Sequence, residues 1–169
     1  MNLGGRRITN TDLCASFEGL GFTGVGAFLA SGNVVFDGKG SATALAKRVE
    51  SGLEDALGYP VPTFIRSAAQ VRAVAACDPF ADRRGAAGRG KLQVVFLRSK
   101  PSAKAAAGVA DLAEADDWLA IEGAELYWLP KAGLADSNLD MKALAKLVGP
   151  PTVRTKNTIV RLAAKFFAD

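Results

Sequence analysis

Residues 21–37, with the sequence GFTGVGAFLASGNVVFD, predict a strand, a tight turn and a return strand directly after a helix. Gly21 supplies the left-handed backbone conformation that commonly ends a helix. Apolar residues fill most positions on either side of Ser31, which is typical of strands that are covered on both faces. Gly32 and Asn33 tolerate the positive φ that a tight reversal requires. The segment therefore predicts a β-hairpin preceded by a helix.

The hairpin is predicted to lie between two amphipathic helices. Thr9 and Asp12 have the spacing of a capping box, and they open the first helix. Ser41 opens the second helix, which Gly58 ends. Residues 61–65 then alternate as a further strand. The first half of the chain is therefore predicted to run helix, strand, strand, helix, strand.

The second half is predicted to have a similar order of elements, followed by a final helix. We place the first half at residues 1–77, a loop or linker at 78–91 and the second half at 92–169. The predicted strands of the second half are 92–97, 118–121 and 125–129, and its predicted helices are 102–115, 137–149 and the segment from about 157 onward.

These orders predict an α+β fold of two ferredoxin-like βαββα(β) halves that form one compact unit. The first half lacks a strand before Thr9, and in that topology the first strand is central in its sheet. Burial of about five strand residues contributes roughly 7–15 kcal/mol, as much as the net stability of a typical domain. Either a strand precedes Met1 or a neighbouring strand closes the gap, and we hypothesise the first.

The absence of histidine narrows the chemistry available to this chain. It excludes Ser-His-Asp triads, Cys-His dyads and a histidine general base near neutral pH. Cys14 and Cys77 cannot fill a structural zinc tetrahedron, and we expect both to be reduced thiols. No EF-hand or Walker-type spacing is present. We therefore expect no metal and no cofactor, and we favour a protein that is not an enzyme.

The overall charge and hydropathy suggest a cytoplasmic protein. The formal net charge is +4, which is compatible with phosphate-bearing partners. No segment approaches the roughly 18 consecutive apolar residues of a membrane helix, and no signal-peptide pattern opens the chain. We expect no membrane partner, and the sequence does not predict an oligomeric state.

The first candidate site is a glycine-rich segment before the first helix. The backbone N–H groups of Gly4 and Gly5 could approach an anion, and Arg6 could supply charge-assisted hydrogen bonds. Ser31 and Asn33 could present polar side chains beside it. The alternative is that both segments are structural turns.

The second candidate region is basic and lies later in the chain. Arg154 and Asn157 are predicted at a helix start, with Arg161 one turn later, so that they could bind an anion. The basic residues of the 83–91 loop could contact nucleic acid electrostatically. Capping and a solvated linker are the alternatives. The basic residues of that loop are Arg83, Arg84, Arg89 and Lys91.

Several segments resemble a bacterial family called domain of unknown function 1697, whose function is not known. Residues 2–5, NLGG, match its N-x-G-G, and residues 31–36, SGNVVF, match its S-G-N-V-V-F. Residues 78–80, DPF, and 94–97, VVFL, resemble its N-P-F and V-x-F-L. The resemblance covers nearly all of the chain, and it implies a strand that ends in L-R-G before Met1.

Two departures from the family pattern concern basic residues. An Arg and a Lys of the family stand here as Asp136 and Asn138. The family's R-N-W-N-T corresponds to residues 154–158, RTKNT, which lack the first Asn and the Trp. If those basic residues bind an anion in relatives, the resemblance implies that this chain binds it weakly.

The leading hypothesis is a non-catalytic module that binds a small phosphorylated ligand or another anion through Gly4, Gly5 and Arg6, near Asn33. The alternative is a nucleic-acid-binding protein that uses the 83–91 loop and the region from Arg154 to Arg161.

Overall fold

The structure is a computed structural model that describes residues 2–3, 6–83, 90–113, 117–131 and 139–168. The chain divides into two compact units, an N-terminal unit, Met1–Ser67, and a C-terminal unit, Ala68–Asp169. Both contain helices and antiparallel strands, so the predicted α+β class is confirmed. None of the helices in the described residues has both the length and the apolarity needed to cross a membrane.

The N-terminal unit is built around one hairpin and two helices. A short pair, β1 and β2, precedes helix α1, and the antiparallel hairpin β3–β4 is followed by helix α2. Phe17, Phe22 and Phe36 pack against one another at the centre of this unit. The bounds are β1 Asn2–Leu3, β2 Arg6–Arg7, α1 Asn10–Gly19, β3 Thr23–Phe28, β4 Asn33–Asp37 and α2 Ala42–Leu57.

Three local signals in this unit act as predicted. The Thr9 hydroxyl oxygen accepts a hydrogen bond from the backbone N–H of Asp12 at 3.1 Å and thereby caps α1. Ser41 caps α2 in the same way, through the N–H of Ala44 at 3.2 Å. Gly58 ends α2 with a φ of 75°. Short polar side chains and glycine therefore set the helix bounds here.

The predicted strand at residues 61–65 is wrong. No strand lies at these residues. The backbone N–H of Thr63 donates to Glu50 Oε1 at 2.7 Å, and the Thr63 hydroxyl donates to the carbonyl oxygen of Val61 at 3.2 Å. The side chain of Glu50, on α2, thus accepts the hydrogen bond of an N–H group that would otherwise pair with a neighbouring strand.

The C-terminal unit contains a four-stranded antiparallel sheet in the order β6-β7-β5-β8. Its first strand, β5, therefore lies inside the sheet, between β7 and β8. Whether the halves are ferredoxin-like stays a prediction. The bounds are α3 Ala68–Ala76, a short 3₁₀ helix Ala81–Arg83, β5 Gln93–Phe96, α4 Ala103–Ala110, β6 Trp118–Glu122, β7 Glu125–Leu129, α5 Met141–Val148, β8 Thr152–Thr155 and α6 Lys156–Phe166.

Two features of this unit differ from the prediction. Strand β8 was not expected, and it occupies Thr152–Thr155 directly before α6. Helix α5 begins after Asp140, whose carboxylate accepts the N–H groups of Lys142 and Ala143 at 2.8 and 3.0 Å. Ser137, the first residue of the predicted helix, lies outside the described residues.

Both faces of the sheet are covered. Val95 and Leu126 are fully buried on one face, against Leu144 of α5. Val94 and Tyr127 are paired on the other face, and each exposes at most 1% of its surface. Adjacent residues of the same strands therefore point to opposite faces of the sheet, and both faces are buried, as is typical of strands covered on both sides.

Helices α3 and α6 cap each other with basic side chains. The ammonium group of Lys156, the first residue of α6, donates to the carbonyl oxygens of Val74, at 2.9 Å, and of Cys77. Arg72 of α3 makes a longer contact of 3.5 Å with the carbonyl oxygen of Phe167, just beyond α6. Cations at helix C-termini satisfy the last carbonyls and complement the helix dipole.

Candidate functional site

The glycine-rich candidate segment lies mostly outside the described residues. This holds for Gly4 and Gly5. The backbone of Arg6 belongs to β2, where Arg6 pairs with Leu3. The predicted role of these three residues in ligand binding stays a prediction.

The hairpin reverses through residues 29–32, whereas the turn was expected at residues 31–33. Positive φ values occur at Leu29, 58°, and at Gly32, 72°. The expectation that Asn33 takes a positive φ is wrong, because Asn33 is the first residue of β4 and pairs with Phe28. A left-handed backbone costs a residue such as leucine about 1–2 kcal/mol. The turn therefore carries backbone strain at Leu29.

Asn33 and Ser31, both predicted as site residues, are brought into contact. The side-chain amide of Asn33 donates to Ser31 Oγ at 2.8 Å and to the carbonyl oxygen of Phe28 at 3.3 Å. Asn33, at the start of β4, is thus hydrogen-bonded both to Phe28, the last residue before the turn, and to Ser31 within the turn. This explains why asparagine suits position 33 although its backbone is not left-handed.

Asn10 is a site residue that sequence reasoning missed. Its side-chain amide, at the start of α1, donates to the carbonyl oxygen of Leu29 at 3.2 Å. Its Oδ1 atom has less than 1 Å² of accessible surface and no hydrogen-bond partner in the described part of the chain. The one available signal was an asparagine inside a first helical turn, where its intrinsic propensity is low.

Asn10, Leu29, Ser31 and Asn33 together form what we call the α1–turn site. Two asparagine amides hold consecutive carbonyl oxygens, those of Phe28 and Leu29, at the strained corner. The side chain of Leu29 is 39% exposed. The site therefore presents amides, a hydroxyl group and an exposed leucine on a fixed backbone.

The electrostatics beside this site are mixed. The Thr9 hydroxyl donates to Asp12 Oδ2 at 2.6 Å, which places a carboxylate in the first turn of α1. That negative charge opposes an anion at the helix N-terminus, although it complements the helix dipole. An anion here would need nearby positive charge, and Arg6 and Arg7 of β2 are the closest basic residues along the chain.

The second predicted region lies in the C-terminal unit. Arg154 is part of β8, not of a helix start, and its guanidinium donates to Thr152 Oγ1 and to the carbonyl oxygen of Val153, each at 2.8 Å. Burial lowers the pKa of this guanidinium below its ordinary value. Asn157 is exposed in the first turn of α6, whose cap is Thr155. Arg154 is therefore partly engaged by its own strand.

The basic loop is described only at its ends. Residues 84–89 lie outside the described part, and the backbone of Arg83 ends the short 3₁₀ helix. Lys91 is exposed, and its carbonyl oxygen accepts a hydrogen bond from Gln93 Nε2 at 2.7 Å. The predicted contact of this loop with nucleic acid stays a prediction.

One buried hydroxyl lies elsewhere in the C-terminal unit. Tyr127 is 1% exposed, and burial, together with a hydrogen bond to Cys77, raises the pKa of its phenol well above the ordinary value. Both cysteines are free thiols. Within the described residues, no group of three or more Cys, Asp or Glu side chains is placed to hold a metal ion.

The fold and the site define an α+β protein with a hydrogen-bonding turn at the end of a hairpin. A family model described as protein of unknown function DUF1697 matches residues 1–127. The chain belongs to this family, so the resemblance seen in the sequence is confirmed.

A solved structure extends the comparison over almost the whole chain. The structure of a conserved bacterial protein from Streptococcus pneumoniae aligns with a TM-score of 0.66, covering 97% of this chain and 92% of that chain. The two sequences are 18% identical, so this likeness shows the fold alone. No curated protein sequence matches the chain significantly.

Proposed function

We propose that this protein is a non-catalytic module that binds a small phosphorylated ligand, or another small anion, at the α1–turn site. In this proposal Gly4, Gly5 and Arg6 complete the site from the preceding segment. The observation that supports it most is the link from Asn10 to Leu29, which ties the start of α1 to a strained turn.

Strain at Leu29 supports a functional role for the turn. Non-glycine residues in the left-handed region persist only where neighbouring groups hold them, and they are concentrated at ligand sites. Here the amides of Asn10 and Asn33 supply those holding contacts, on either side of the corner. Pre-organised groups of this kind bind ligands with a smaller entropic cost.

The chemistry of these side chains suits binding better than catalysis. The amides of Asn10 and Asn33 and the hydroxyl of Ser31 form hydrogen bonds, but they do not exchange protons near neutral pH. A general base must lie within hydrogen-bond reach of the proton that it removes. The carboxylate of Asp12, in the first turn of α1, already accepts the Thr9 hydroxyl.

Phosphate is the favoured anionic group because of the basic residues before α1. Arg6 and Arg7 are consecutive in β2, and arginine recognises phosphate through paired hydrogen bonds. The net charge of +4 adds a general attraction for anions. These residues must overcome the local repulsion from Asp12.

A thermal-shift screen of sugar phosphates, nucleotides and inorganic phosphate tests the proposal. A ligand at 100 times its Kd stabilises the folded state by about 2.7 kcal/mol. The melting temperature should therefore rise with the concentration of at least one phosphorylated compound. Replacing both Arg6 and Arg7 by alanine should abolish the shift, whereas Lys47→Ala, an exposed site on α2, should preserve it. If no phosphorylated compound shifts the melting temperature, the proposal fails.

A second candidate function is nucleic-acid binding through the 83–91 loop and α6. Asn157, Arg161 and Lys165 are exposed at four-residue spacing on α6, and that helix contains no acidic residue. This stripe favours a polyanion. Fluorescence anisotropy with labelled single- and double-stranded oligonucleotides at 50 and 200 mM salt tests it. Salt-sensitive binding that the double variant Arg161→Ala, Lys165→Ala weakens would support this candidate, and its absence would exclude it.

A further inference from the structure

We propose that the ligand of the α1–turn site carries a hydroxyl or amino group that donates a hydrogen bond to Asn10 Oδ1. This inference rests on the proposed function and names its ligand class. The site would then select hydroxylated phosphates, such as sugar phosphates, over phosphates whose remaining groups only accept hydrogen bonds or are apolar.

The orientation of the Asn10 amide is fixed by its neighbour. The NH₂ group donates to the carbonyl oxygen of Leu29 at 3.2 Å. A flipped amide would place its own oxygen against that carbonyl oxygen, so two acceptors would face each other. The group without a partner is therefore the oxygen Oδ1, and only a hydrogen-bond donor can satisfy it.

The burial of this oxygen makes its unmet hydrogen bond costly. Oδ1 has less than 1 Å² of accessible surface, so bulk water does not replace the missing partner. A buried acceptor without a donor costs free energy that a correctly placed donor recovers. A hydrogen bond from a ligand hydroxyl to Oδ1 would therefore contribute more to the binding free energy than the same hydrogen bond to an exposed asparagine.

A donor reaches Oδ1 only after a neighbouring group moves. The backbone of Leu29 is held by its hydrogen bond to the Asn10 amide, so the group that can move without turning that amide is the Leu29 side chain. Its side chain is 39% exposed, so few packing contacts resist that motion. The Leu29 side chain is thus the element that we expect to shift on binding, while the backbone of the turn stays in place.

The phosphate group cannot provide this hydrogen bond by itself. A phosphate monoester dianion offers only acceptor oxygens, and an acceptor placed against Oδ1 is repelled. A site that accepts a hydrogen bond from a ligand hydroxyl rejects the analogue without it strongly, because its polar atom then stays unpaired. The carbon-bearing part of the ligand must therefore supply the donor.

Matched ligands separate this inference from the proposed function. Glycerol phosphate and n-propyl phosphate have the same chain length and differ in the hydroxyl groups. Their dissociation constants should be measured at pH 8, where both are dianions because the second phosphate pKa is about 6, alongside the sugar phosphates found in the screen. We expect hydroxylated compounds to bind the wild-type protein at least tenfold more tightly than n-propyl phosphate.

Asn10 variants then test the role of the oxygen. Asn10→Ala should reduce the preference for hydroxylated compounds to about twofold or less, and Asn10→Ser is a second variant in case alanine impairs folding. Ser51→Ala, an exposed position on α2, should keep the wild-type preference. Circular dichroism melting establishes that each variant is folded.

The outcomes are distinguishable. If n-propyl phosphate binds as tightly as the hydroxylated compounds, or if the Asn10 variants keep the full preference, this inference is overturned and the proposed function stands. If no phosphorylated compound binds the wild-type protein, the proposed function is overturned and this inference falls with it.

Discussion

The hydrogen bonds of Asn33 give a direct energetic test of the turn. The Asn33→Ala variant removes at least two bonds, one of 2.8 Å to Ser31 Oγ and one of 3.3 Å to the carbonyl oxygen of Phe28. A neutral hydrogen bond contributes about 0.5–1.5 kcal/mol net. The expected loss is therefore about 2 kcal/mol in the free energy of unfolding. For a chain of this length, 1 kcal/mol changes the melting temperature by roughly 2–4 °C, so Asn33→Ala should lower it by about 4–8 °C.

Ser31→Ala is the matched control for this prediction, because it removes one of the two bonds and leaves Asn33 in place. Its expected loss is about 1 kcal/mol, roughly half that of Asn33→Ala. Differential scanning calorimetry and urea unfolding of wild type and both variants measure these values. Equal stability of Asn33→Ala and wild type, or a larger loss for Ser31→Ala than for Asn33→Ala, would refute the assignment of Asn33 as the residue that holds the turn.

Two further predictions concern other parts of the fold. Lys156→Met removes the ammonium group that caps α3. Since charge-assisted hydrogen bonds contribute about 1.5–3 kcal/mol, this variant should destabilise the protein by about 2 kcal/mol in urea unfolding. Lys104→Met, at an exposed site on α4, should show no comparable loss, and equal losses for the two variants would argue against the cap. Gly52→Ala should destabilise the protein by about 1 kcal/mol, since the new methyl group would overlap the side chain of Leu20. At Gly19, a new methyl group would lie within 4 Å of no described atom other than its chain neighbours and its own helix backbone, so Gly19→Ala should stabilise the protein by up to about 1 kcal/mol. The same sign for both melting-temperature shifts would contradict the packing described.

Local signals in the sequence were sufficient to predict the starts of α1, α2 and α4. Thr9, Ser41 and Ser102 each lie next to the first residues of a helix and accept one of its unpaired N–H groups. Such caps depend on a few neighbouring residues, and sequence spacing therefore reveals them. The α+β class follows from the same local patterns.

Tertiary contacts decided the elements that were predicted incorrectly. Residues 61–65 alternate as a strand does, but Glu50 of α2 binds the N–H of Thr63. Strand β8 is only four residues long and lies between a proline pair and α6, so it is too short to show a clear strand pattern. Its identity depends on pairing with β5, a strand about sixty residues earlier along the chain. Periodicity within a short window carries no information about either contact.

The candidate site was predictable only in part, for the same reason. Ser31 and Asn33 are two residues apart, so their contact could be anticipated. Asn10 and Leu29 are separated by 19 positions, and their hydrogen bond exists only because α1 packs beside the hairpin. The strain at Leu29 was equally hidden, because glycine and asparagine in the same turn are better candidates for a positive φ.

The most direct test of the central claim is a ¹H–¹⁵N NMR titration of the wild-type protein with a phosphorylated compound from the thermal-shift screen. If the ligand binds at the α1–turn site, saturable shifts will be largest for the backbone amides of Leu29 and Asn33 and for the side-chain amide of Asn10. Shifts confined to α6, or no saturable shift in the residues of the α1–turn site, would contradict it.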